Sequence, residues 1–237
     1  MDRPALLAAL RSRLAQVDRN AAGEAGSASV ALCAPIDQSL PGGGLARAAV
    51  HEVLAAEPGA AAGFCALVLA RAAGTVLWIA PGPDTWPPGL ARFGLSPADL
   101  VLVQAPRALD GLWAMEEALR CPGVAGALLA TDALDLTAAR RLQVAAEAGG
   151  AIGLLLRPDD EAASAAAALT RWRVGAPAGA GSAHDLGDPL WRLELLRCRG
   201  GRPQRWQVTW RSAAERLDPE EEEEETPAAA QPRRRMQ

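Results

Sequence analysis

The sequence predicts an α/β protein: a mostly parallel sheet with helices on both faces and a β-hairpin toward the C-terminal end. Three observations predict it. Nearly continuous apolar runs of five or six residues alternate with helix-like segments of roughly 10–13 residues, the pattern of strands buried on both faces and joined by crossover helices. One strand-like run enters a glycine- and alanine-rich segment that opens a helix-like run, the layout of a phosphate-binding loop. Near the C-terminal end, apolar and polar residues alternate on both sides of Gly200-Gly201.

In chain order, residues 4–19 read as an amphipathic helix. Leu6, Leu10 and Leu14 repeat at four with Leu7 and Val17 beside them, and Arg11, Arg13 and Arg19 lie off that stripe. Residues 20–31 are small and polar, a linker. Ile36 to Leu45 gives a turn and a glycine-rich lead-in, where Gly42, Gly43 and Gly44 either cradle a phosphate or let the backbone turn before a strand. Strands are expected at 50–55, 75–80, 100–104, 126–130 and 151–156, and helices at 63–73, 108–120 and 136–148. Residues 81–98 are rich in Pro and Gly, a loop with a short helix around Leu90 to Phe93. A short alanine-rich helix at 159–170 and a strand starting at Trp172 follow. Residues 175–188 form a loop, and the hairpin spans 189–199 and 205–211. From 213 the Glu run, Pro and Ala, and Arg233 to Arg235 offer no core, so a disordered tail is expected. The chain therefore divides into 1–30 (helix and linker), 31–212 (core) and 213–237 (tail).

Composition excludes several classes. The formal charge is −4, and six of the acids lie in the run Glu220 to Glu225, so the remainder is mildly basic. Cys33, Cys65, Cys121 and Cys198 are isolated, with no CxxC pair, and read as buried thiols. With only His51 and His184 beside them, no metal site is expected, and His51 reads as a core or edge histidine. Glu116 and Glu117 read as an exposed helix face. No run reaches about 18 apolar residues without a charge, and no signal peptide is recognisable, so a cytoplasmic protein without membrane contact is expected.

The chain has no lysine; all 24 of its basic side chains are arginine. A phosphate loop needs a lysine near its end to reach the β and γ phosphates, and then a Ser or Thr for magnesium. In the segment Glu57 to Gly63 the last glycine is followed by Phe64 and Cys65. A wholesale Lys-to-Arg bias would explain arginine there, not phenylalanine.

Ile36-Asp37, then Gly43-Gly44-Leu45-Ala46-Arg47, then His51-Glu52-Val53 resemble the lead-in to the phosphate loop of the RecA family. The degenerate loop, the length and the Trp/Arg hairpin look like the ImuA family. These are RecA-like accessory proteins of an SOS-induced mutagenesis cassette, also described as SulA-like. The resemblance covers about residues 30–212 and implies a RecA-like core. By that resemblance Gly63 precedes the missing lysine, Phe64 and Cys65 replace the lysine and the hydroxyl residue, and Asp132 is a displaced magnesium-orienting carboxylate. No catalytic residue, cofactor or ATP hydrolysis is then expected, because positioning and charge neutralisation are nearly all of phosphoryl-transfer catalysis. The implied partners are an ImuB-like protein, an error-prone DNA polymerase III alpha-type subunit and RecA. The SulA-like description implies instead an inhibitor of the tubulin-like division protein. Two surfaces are candidates for contact. Arg197, Arg199, Arg202 and Arg205 of the hairpin, interleaved with Trp191, Trp206 and Trp210, suit DNA or a partner. Alternation favours instead the arrangement in which the Trp residues face the core and the Arg residues face water. The leucine stripe Leu6, Leu10, Leu14 docks either on RecA, on a neighbouring copy or on its own domain.

Overall fold

The structure, a computed structural model, describes residues 29–82, 85–132, 134–160, 167–177 and 187–220. The predicted 4–19 helix with Leu6, Leu10 and Leu14, residues 161–166 of the predicted 159–170 helix and residues 178–186 of the 175–188 loop lie outside the described residues; the described remainder of 159–170 is not helical, and Thr170 begins a strand.

Among the described residues, nine strands form one sheet. Six of them are parallel: β3 (Ala49–Ala55), β4 (Val76–Ala80), β5 (Leu100–Gln104), β6 (Gly126–Ala130), β7 (Ile152–Pro158) and β8 (Thr170–Gly175). β9 (Leu190–Cys198), β10 (Gln204–Arg211) and β11 (Arg216–Glu220) extend it antiparallel. The order is β11-β10-β9-β8-β3-β7-β6-β4-β5, and a separate two-stranded ribbon pairs β1 (Ser29–Val30) with β2 (Leu45–Ala46). The five predicted parallel strands and the hairpin are all present. Residues 29–30, read as linker, form β1 because Val30 and Leu45 both bury against the core. Gly43 and Gly44, at φ 69° and 152°, turn the chain into β2, and a Cβ on Gly44 would sit 2.7 Å from the Val30 carbonyl oxygen. The glycine run thus serves a turn and a close backbone approach.

The predicted core boundary at 212 falls short. After a 3₁₀ turn, Ser212–Ala214, β11 pairs Arg216 with Arg211 through to Glu220 with Gln207. Leu217 on β11 is buried, which supplies the apolar anchor that the charged composition hid. The Thr209 hydroxyl donates to Glu220 at 2.6 Å and the Arg211 guanidinium to Asp218 at 3.3 Å.

The helices are α1 (Ala34–Ser39), α2 (Pro58–Ala72), α3 (Pro87–Ala91), α4 (Ala108–Arg120) and α5 (Leu136–Gly149). α2 packs on β3, β6, β7 and β8 on one face; α4 and α5 pack on β3, β4, β6 and β7 on the other. α5 starts at its Asp135 cap, whose carboxylate accepts the Ala138 N–H at 2.7 Å. Asp110 in the first turn of α4 and Arg120 in its last complement the helix dipole.

The α2 side of β3 holds a buried polar chain. The His51 Nε2–H donates to the Ala46 carbonyl at 2.8 Å, so Nδ1 is left to accept from the Thr170 hydroxyl at 2.7 Å. The Trp172 indole N–H donates to the same hydroxyl oxygen at 2.8 Å. Every member is satisfied only while the imidazole is neutral, and burial holds the His51 pKa down to about 4. On the other face, Glu52 is buried between two arginines, accepting from Arg157 and Arg171 at 2.6 Å each.

Because the folded pKa of His51 lies below the unfolded value of about 6.5, its neutral form stabilises the fold fully above that pH. This stabilisation is lost as pH falls toward 4. Denaturant midpoints should show about 3 kcal/mol of loss across that window, and His51→Gln should flatten the window; an unchanged profile would count against the buried relay. Glu52→Ala strands two arginines, one of them fully buried, and should cost about 3–5 kcal/mol in the same measurement.

Candidate functional site at the degenerate phosphate loop

β3 ends at Ala55 and α2 begins at Pro58, so only Ala56 and Glu57 connect them. The Glu57 N–H bonds the Val174 carbonyl at 3.2 Å, and the Glu57 carbonyl accepts the Ala61 N–H at 3.0 Å as the helix starts. Pro58 suits this start: its fixed φ fits the first helical position and its missing N–H loses nothing there. The segment expected to be a loop is therefore wound into the first two turns of α2. From Ala61 onward its amides are taken up by intrahelical bonds, which leaves the Gly59 and Ala60 N–H groups at the helix start. Glu57 is exposed at the helix N-terminus and sets a carboxylate where a phosphate loop presents its anion site.

Gly63, Phe64 and Cys65 are all fully buried in the body of α2. A Cβ on Gly63 would lie 2.7 Å from the Phe93 ring, so this glycine admits a neighbour's aromatic side chain. Phe64 lies against Trp172 and Trp191, at centroid distances of 5.8 and 6.3 Å, and Phe93 continues the cluster to Trp191 and Trp210. Burial pushes the Cys65 thiol pKa far up, which keeps it neutral and unreactive. Asp132 lies beyond the end of β6 with its side chain exposed, while its carbonyl accepts from Arg157 at 2.9 Å. A cleft of about 610 Å³ opens at this end of the sheet, lined by Glu57, Trp191, Asp188, Arg211 and Glu220. Arg211 reaches Asp188, Asp218 and Glu220, so its charge is already neutralised by the cleft's own acids. No group of three metal-competent side chains occurs among the described residues.

The hairpin obeys its alternation. Trp191 and Trp210 are buried, Trp206 is half-buried 5.9 Å from Trp172, and the Trp210 indole donates to the Arg92 carbonyl at 2.8 Å. Of the candidate arginines, Arg197 donates to the Ala168 carbonyl at 2.7 Å, and Arg205 lies 3.7 Å from Glu194, which also meets Arg173 and Arg192. Arg199 and Arg202 stand exposed at the turn. Two of the four arginines thus have partners within the domain, and two are exposed at the turn.

No family model matches the chain. It is 42% identical over 192 residues to Protein ImuA of Caulobacter vibrioides, strains NA1000 and CB 15, covering 72% of this chain and 78% of those proteins. This chain belongs to the ImuA family. The crystal structure of the RadB recombinase matches its fold with a TM-score of 0.60 at 11% identity, covering 78% of this chain and 96% of that one. This ImuA-family chain therefore has the predicted RecA-like α/β fold.

Several contacts were invisible in the sequence. Arg157 and Arg171 sit 105 and 119 residues from the Glu52 they hold, and Phe93 lies on a separate segment from Gly63. Glu116 was expected on an exposed face and is buried, held by Arg120 at 2.5 Å and by Arg141, whereas Glu117 is exposed. The Arg120 spacing of four was the available signal. Cys121, expected buried, is exposed after the end of α4.

Phe64→Lys, which restores the charge of an intact loop, should not restore nucleotide binding. It should cost at least about 3 kcal/mol in chemical denaturation by emptying the aromatic pocket and burying an amine. A variant as stable as the parent would mean that residue 64 faces solvent.

Proposed function

We propose that this ImuA-family protein is a non-catalytic, cytoplasmic accessory protein of the SOS response. It supports damage-induced translesion DNA synthesis and mutagenesis through contacts with an ImuB-like protein, an error-prone polymerase and/or RecA. Family membership supports the setting, and the packing of Phe64 carries the mechanism. A side chain committed to Trp172 and Trp191 cannot be exchanged for a lysine that turns outward to a phosphate. Helix α2 starts at Pro58, which has no N–H, and intrahelical bonding takes the amides from Ala61 onward, so only the Gly59 and Ala60 N–H groups are left at the helix start, where Glu57 repels an anion. In phosphoryl transfer the protein supplies position and countercharge, and here both are directed to other tasks. No helix among the described residues is long and apolar enough to cross a membrane. The retained RecA-like scaffold then acts by its surface.

Purified protein should bind ATP·Mg no more tightly than about 100 μM by calorimetry, and should bind purified ImuB-like protein in a pairwise assay. Tighter nucleotide binding would overturn the non-catalytic reading. Binding to the tubulin-like division protein in place of ImuB and RecA would move the function to division control.

A further inference from the structure

The outer faces of α4 and α5 carry large apolar side chains where an amphipathic helix ordinarily shows polar ones. Leu109 and Trp113, one turn apart on α4, are 79% and 67% exposed, and Val144 on α5 is 59% exposed. They are not scattered. Between the helices lie two adjoining clefts of about 170 and 300 Å³ that share Glu116 and Arg141. Leu112, Leu142 and Ala138 line the first beside Leu109 and Trp113; Thr137 and Val144 line the second.

The rim is mainly positive, with the exposed Glu117 of α4 lying 3.8 Å from Arg120 at its edge. Glu116 is buried and holds Arg120 from its own helix and Arg141 from α5. One carboxylate thus fixes two guanidiniums side by side, and each keeps donors free for solvent, since a guanidinium has five N–H groups. Arg140 lines the same cleft, is exposed, and forms no ion pair among the described residues. The result is an apolar trough beside three arginines, two of them pre-positioned by a buried acid.

Both terminal segments outside the described residues have the wrong chemistry for this trough. Residues 1–19 bring leucines but four arginines against two aspartates, like charge against the rim. Residues 221–237 bring five glutamates, but Met236 is their only large apolar side chain. A second copy of the same face would set arginines against arginines across a two-fold axis.

We infer that the α4–α5 trough docks an amphipathic helix of a partner protein, with large apolar side chains along one stripe and carboxylates on its flank. A groove between two helices accepts a third in this way, with anchors spaced at i, i+3 or i+4, and i+7. Trp113 and Leu109 are the anchor contacts; Arg120, Arg140 and Arg141 select the acidic flank. The surface lies across the sheet from α2 and stands apart from the nucleotide question.

The test titrates the full chain with two labelled peptides and reads fluorescence anisotropy. One is a synthetic helix of about five turns with leucines on one stripe and glutamates beside it; the other is residues 1–19 of this chain. The acidic peptide should bind about tenfold or more tighter than residues 1–19. Leu109→Glu with Trp113→Glu, and separately Val144→Glu, should weaken it by about tenfold. Arg140→Glu should weaken it and flatten its salt dependence. All of these replaced side chains are exposed, and unchanged thermal melts confirm folding. The inference fails if neither peptide binds or if the variants bind like the parent. Tighter binding of residues 1–19 would assign the trough to the chain's own leader. A dimer of the chain alone that the double variant dissolves would assign it to a second copy. Either result overturns the partner reading.

Discussion

Phe64 wedged against Trp172 and Trp191 is the contact on which the rest of this molecule depends. It joins α2 to β8, the last parallel strand, and to β9, the first antiparallel one. Phe93 extends the same aromatic cluster to Trp210 on β10, through the gap that Gly63 leaves. Aromatic rings bury large apolar area in fixed geometry, so this cluster sets the position of α2 along its length. Once α2 is so held and begins at Pro58, only Ala56 and Glu57 remain between strand and helix. On the proposed non-catalytic reading, the missing lysine and the missing loop have one structural counterpart: Phe64, which follows Gly63, is a core residue.

The two faces of β3 are stabilised by different physics. On the α2 side, His51, Thr170 and Trp172 form a neutral hydrogen-bond chain that holds only with an uncharged imidazole. On the other, Glu52 joins β7, β3 and β8 through Arg157 and Arg171. A buried charge with two cationic partners adds little net stability against an apolar substitute of equal volume, but removing one member leaves charge uncompensated. The acid thus ties β3 to both of the strands that flank it.

Strand and helix positions were legible because their signals are local: continuous apolar runs for buried strands, alternation around Gly200-Gly201 for the hairpin. The start of α2 was misread because glycine and alanine read as loop, although Pro58 at the first helical position pointed the other way. β11 was hidden because four of its five residues are charged or proline, leaving Leu217 as the lone apolar signal. At the site, the absences were legible as residue types, while their consequence was not. Nothing local in the sequence says that Phe64 turns toward Trp172, 108 positions later. Glu116 illustrates the same gap, since its second arginine comes from a different helix.

Hydrogen exchange at the backbone amides of residues 61–67 probes the central claim most directly. A helix that begins at Pro58 predicts slow exchange there, matching the middle of α2, and no change when ATP·Mg is added. Fast exchange across 61–64 that slows on adding ATP·Mg would show a loop that closes on phosphate, and would contradict the account.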